Sequence, residues 1–74
     1  MDRAQQQRVK QRFGERLHRL RKARNMSQED LAFAAGLDRS YLSAIERGQR
    51  NLSLVNIHRL ADALQVGPGE LFAD

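Results

Sequence analysis

Three arginines and three serines are interleaved in the stretch "DRSYLSAIERGQRNLS", residues 38–53. Set on a helix at about 100° per residue, Leu42 and Ile45 fall on one side, and Arg39, Ser40, Ser43 and Arg47 gather on the other with Ala44 at its margin. A face that is polar, short and free of bulky groups suits the major groove of duplex DNA, where arginine donates two hydrogen bonds to guanine and serine bonds either a donor or an acceptor. The asparagine and glutamine that would pair with adenine are missing from this face, so guanine-dominated contacts through Arg39 are expected. Tyr41 lies on a flank near Ile45, from which it could reach a phosphate or a thymine methyl, or simply cover the core.

Other chemistry finds little support. His18 and His58 fall on different helices from Ser40 and Ser43, without a matched acid or an oxyanion loop, and the "GPG" at 67–69 lacks the strand and spacing of a phosphate cradle. An enzyme is not expected. With no cysteine and two histidines the chain cannot complete a structural zinc shell, so no metal or cofactor is expected either.

Those side chains must be positioned by a chain of 74 residues, enough for one domain. At this size folding buries only about 60% of the unfolded surface, which leaves a thin stability margin and no room for a deep cleft. Without disulfides or metal, stability rests on packing or on a partner subunit. The net charge is +4, but residues 1–24 hold nine Lys/Arg against Asp2 and Glu15, whereas residues 52–74 hold Arg59 against Asp62, Glu70 and Asp74. One strongly basic end suggests a polyanion, nucleic acid before an anionic membrane surface; the bland alternative is a solvated helix face. No apolar run approaches the roughly 20 residues of a membrane span, and the charged N-terminus has no apolar segment behind it. A soluble, unprocessed, cytoplasmic protein is expected.

Scarce proline and glycine, few β-branched residues and apolar spacings of three and four predict helices throughout. The first runs from about 6 to 24 on the stripe Val9, Phe13, Leu17 and Leu20, tolerates Gly14, and leaves residues 1–5 frayed. Ser27, with Asp30 three residues on, caps a second helix carrying Leu31, Ala32 and Ala35, which Gly36 ends. Asp38 caps a third, about 39–47, which Gly48 stops; Ser53 caps a fourth, about 54–64, with the core stripe Leu54, Ile57, Leu60, Ala61 and Leu64. Pro68 opens a last short helix ending in Leu71 and Phe72. The second and third helices need small residues where they touch, and Ala32 and Gly36 supply them: counted from Gln28, residues 32, 36, 42 and 45 all match a helix-turn-helix unit.

Over about residues 10–72 the sequence resembles the lambda-repressor-like, or Cro/C1-type, helix-turn-helix family, through "LRKARNMSQEDLAFAAGLDRSYLSAIERGQRNLSL" and "LADALQVGPGELF". Within it, "LDRSYLSAIERGQRNLS" is most similar to controller proteins of restriction-modification systems. The resemblance implies a compact all-α, five-helix domain that binds operator DNA as a dimer with residues 39–47 in the major groove. It also implies that Gln28 at the head of the second helix, and Arg50 and Asn51 after the third, bind phosphate. Leu52 stands where the family often has proline, which bears on the loop's rigidity and not on the fold.

Arg21 follows Leu17 by four residues and Glu46 follows Leu42 by four, so both charges point inward and are expected to pair, as the matching positions do in the resembled family. The charges of the first helix encircle it: Arg8, Arg12, Arg16 and Arg19 cannot all face one duplex, and one or two phosphate contacts are expected from that region at most. Val55, Ala63 and Phe72 could extend the apolar surface into a two-fold contact, with Leu71 as core. One recognition helix reads only a few base pairs, so a homodimer on a pseudo-palindromic site with half-sites about 34 Å apart is expected. The sequence therefore predicts a DNA-binding regulator of transcription in which Arg39, Ser40, Tyr41, Ser43 and Ala44 read bases and Gln28, Arg47, Arg50 and Asn51 position phosphates. Its expected partners are operator DNA, a second copy and RNA polymerase. A phage-type repressor, an antitoxin-type regulator and a protein-interaction module on the same fold are the alternatives.

Overall fold

A computed structural model describes residues 1–73. Four α-helices follow one another, α1 (Arg3–Ala23), α2 (Gln28–Ala35), α3 (Arg39–Glu46) and α4 (Leu54–Leu64), and a 3-10 segment, Pro68–Phe72, closes the chain. The expected fifth helix is thus a single 3-10 stretch. It is only five residues long, between Gly67 and Ala73, and eclipsed i→i+3 hydrogen bonding suits such short pieces.

Local chemistry sets most boundaries. α1 starts earlier than the expected residue 6: Asp2 Oδ1 accepts from the Gln5 backbone N–H at 2.8 Å while Gln5 Oε1 accepts from the Asp2 N–H at 3.0 Å, a reciprocal box that starts the helix at Arg3. Ser27 and Asp30 form the same box at α2. Gly36, at φ 71°, ends α2 in the left-handed region, and Leu37 N–H returns to Ala32 O at 2.8 Å. Ser53 Oγ accepts from Asn56 N–H at 3.1 Å to start α4. Asp38 occupies the N-cap of α3 but makes no side-chain hydrogen bond there, contrary to expectation.

The core is built from Leu17, Leu31, Leu42, Ile45, Leu60, Leu64 and Leu71, all essentially inaccessible to water. α1 packs on α3, α2 lies between α3 and α4, and the 3-10 segment bridges α1 and α4. Two expected core residues are outside. Val9 is 48% exposed, because it stands on the rim of a shallow hollow with Gln6, Lys10 and Asn51 and no neighbouring element closes over it. Leu54 is 78% exposed at the first position of α4, where helical periodicity assigns a face but no neighbouring element buries it.

Gly14 has a stronger role than tolerance. It is buried where α1 crosses the end of α3, and an added Cβ would overlap Ile45 O and lie 2.7 Å from Glu46 O. The absence of a side chain is what lets the two helices approach, and it sets the position of α3.

Candidate nucleic-acid interface

Because Leu42 and Ile45 anchor α3 from behind, the opposite face is held outward. Arg39, Ser40, Ser43 and Arg47 line one shallow surface depression; Arg39, Ser40 and Arg47 are exposed, and Ser43 and Ala44 are half-buried. Arg47 Nη1 donates to Ser43 Oγ at 3.1 Å, which draws the two side chains together over the last turn. Tyr41 leaves this face: it packs partly against the core, its hydroxyl accepts from Asn56 Nδ2 at 3.2 Å, and the Arg50 guanidinium lies 4.9 Å from its ring centroid. Asn51 is exposed and shares a hollow with Gln6, Val9 and Lys10 of α1.

The orientation of α3 is held by a polar cluster under its C-terminal end. Arg21 Nε donates to Glu46 Oε2 at 2.7 Å and Arg21 Nη2 to Oε1 at 3.0 Å, a two-pronged pair whose side chains are 7% and 5% exposed. Arg21 Nη1 donates to Met26 O at 2.7 Å, tying the α1–α2 turn to the same guanidinium. Glu46 Oε1 also lies 2.9 Å from His18 Nδ1 and accepts from Gln28 Nε2 at 3.2 Å. Gln28, expected on phosphate, thus sits at the head of α2 but is engaged with Glu46. His18 and Gln28 were not foreseen as members of this cluster: their joining depends on how α1, α2 and α3 are juxtaposed, which local spacing does not encode. Among the described residues no buried side-chain polar atom lacks a partner.

Burial alone would push the Glu46 carboxyl up, but hydrogen bonds from Arg21, His18 and Gln28, with the Arg21 charge, outweigh it and hold the group below its ordinary value of 4.5. The hydrogen bond to Glu46 likewise raises Arg21 despite its burial. A depressed carboxylate contributes stability that is complete above 4.5 and is lost as pH falls through the lower, folded-state value. Asp30, lowered by its hydrogen bonds with Ser27, acts in the same direction. Melting temperature is therefore expected to fall on acidification through this range, and Glu46→Gln should flatten the dependence. A melting temperature that rose on acidification would contradict the assignment.

Part of the basic charge of α1 is committed internally. Arg16 reaches Glu70 through its backbone carbonyl at 2.8 Å and its carboxylate at 3.1 Å, and Arg24 reaches the Gln65 side chain at 3.1 Å. These contacts hold the 3-10 segment and the end of α4 against α1. Among the described residues there is no group of three or more His, Asp or Glu placed to hold a metal, and no helix is long and apolar enough to cross a membrane.

A helix-turn-helix family profile matches residues 17–71, the span containing α2, its glycine turn and α3. The chain belongs to the helix-turn-helix family. It is a DNA-binding regulator of the Cro/C1 type. This helix-turn-helix chain is 46% identical over 67 residues to the control protein C.MunI of Mycoplasma sp., covering 89% of this chain and 90% of that protein. It is 50% identical over 60 residues to the control protein C.BamHI of Bacillus amyloliquefaciens, covering 80% and 74%. Its fold is similar to the crystal structure of the restriction-modification controller protein C.AhdI from Aeromonas hydrophila, with a TM-score of 0.83, 61% identity, and coverage of 84% and 94%.

Proposed function

We propose that this protein controls the expression of restriction and modification genes by binding a pseudo-palindromic operator as a homodimer in the cytoplasm, where its DNA and RNA polymerase are found. The observation that carries the reading is α3 itself: Leu42 and Ile45 are fully buried, and Arg39, Ser40 and Ser43 stand on the opposite side in one depression. Arg39, Ser40, Ser43 and Ala44 read base edges from within the groove, and Tyr41 does so from its flank. Arg47, Arg50 and Asn51 hold phosphates, as does Gln28, which can turn its amide from Glu46 toward the backbone of the duplex.

Exposed apolar side chains support a two-fold contact. Val55 and Phe72 are each 62% exposed, and Leu54 lies beside Val55. A second copy that covers them adds a second reading helix. Ala63 is half-buried against its own core and contributes less to that contact than Val55.

Binding sites selected from random duplex DNA at near-physiological salt test the reading. Arg39→Ala is expected to cost about 1–3 kcal/mol and to relax the preference at one base pair. Arg50→Ala is expected to weaken all sequences alike and to reduce the slope of log affinity against log salt by about one. Uniform loss from both variants would contradict the division between readers and phosphate holders.

A further inference from the structure

Tyr41, Arg50 and Asn56 come from three different elements, α3, the loop after it and α4, yet they form one chain of contacts. The Asn56 amide donates to the Tyr41 hydroxyl at 3.2 Å, and the Arg50 guanidinium rests 4.9 Å from the Tyr41 ring centroid. Asn56 is itself fixed, since its backbone N–H caps onto Ser53 Oγ at 3.1 Å and its side chain is half-buried. Neither the core nor the ion pair uses it.

A hydrogen bond at the far end of a tyrosine fixes where the ring points through its first side-chain torsion, and the packing of the Tyr41 ring against the core limits its turning about the second. An arginine on a solvated loop explores many rotamers unless something holds it, and an aromatic face does so through its quadrupole. A hydroxyl that accepts from Asn56 also keeps its own proton for an outside acceptor. We infer that Asn56 is a positioning residue for DNA binding: it locks the Tyr41 ring, which holds the Arg50 guanidinium ready for a phosphate and turns the phenol proton outward. The inference rests on the proposed DNA-binding role of α3 and adds to it a residue on α4 that touches no base. Its benefit is preorganisation, because an arginine already held loses less freedom on binding.

The test uses the full chain, a mixed-sequence duplex and four variants, Asn56→Ala, Tyr41→Phe, Arg50→Ala and the double variant Asn56→Ala/Arg50→Ala. Asn56→Ala is expected to weaken duplex binding by about three- to tenfold, and Tyr41→Phe, which keeps the ring but not the hydroxyl, by a similar factor. In the Arg50→Ala background, Asn56→Ala is expected to have little further effect, because the group it positions is gone. Equal losses in both backgrounds would mean a merely structural role and would overturn the proposal. In the free protein, the upfield ring-current shift of the Arg50 Cδ protons should shrink in both Asn56→Ala and Tyr41→Phe. An unchanged shift would overturn the proposal without reference to DNA. Failure of the wild-type chain to bind any duplex would instead sink the proposed function, and the positioning role with it, whatever the ring-current shift showed.

Discussion

Glu46→Ala should destabilise the protein by about 3–5 kcal/mol, because it leaves the Arg21 guanidinium buried without its carboxylate. A domain of this size has roughly 4–11 kcal/mol in total, so the variant would be near or past the limit of folding. Arg21→Ala should cost a similar amount, since it strands the carboxylate and releases the Met26 carbonyl. Arg21→Met/Glu46→Leu should be far more stable than either single variant, because apolar replacement of both partners removes two desolvation penalties along with their attraction. Thermal melting of the three proteins checks this pattern. The double variant should still bind DNA less well than the wild type, because α3 loses the contacts that orient it through His18, Arg21 and Gln28. Single variants that melted with the wild type would show that the charges are hydrated and not buried.

The second large effect is expected at Gly14. An alanine there gains about 1 kcal/mol of helix propensity, but its Cβ would meet the backbone oxygens of Ile45 and Glu46, which cannot rotate away as a flexible side chain would. Overpacking of this kind costs about 1–3 kcal/mol, and a valine or leucine would cost more. The net result for Gly14→Ala is lower stability together with weaker DNA binding, because relief of the clash requires α3 to move away from α1. Gly69→Ala is a suitable control: an added Cβ has nothing within 4 Å there. A Gly14→Ala protein that melted higher than the wild type would show that the crossing has slack.

The amphipathic α3 was legible because Leu42 and Ile45, three residues apart on a short helix, leave one orientation that buries both. Arg21 and Glu46 were legible as a pair for the related reason that each follows a buried leucine by four residues. The Ser27 and Ser53 caps follow from side-chain chemistry alone. What local spacing could not convey depends on where other elements end. Val9 and Leu54 keep the period of their helices, but no neighbouring element closes over them, so a correct period still assigned them wrongly to the core. Gly14 reads as a weak point within a helix until the crossing with α3 is known. Asn56 carries no signal in its own helix, because its partner hydroxyl belongs to Tyr41, fifteen residues earlier.

The most direct test of a sequence-reading α3 is the ratio of dissociation constants for the selected duplex and for a scrambled duplex of the same length, measured at one near-physiological salt concentration. A ratio of about 10³ or more, shrinking when Arg39 is replaced by alanine, is the expected result. Equal affinity for the two duplexes would contradict it.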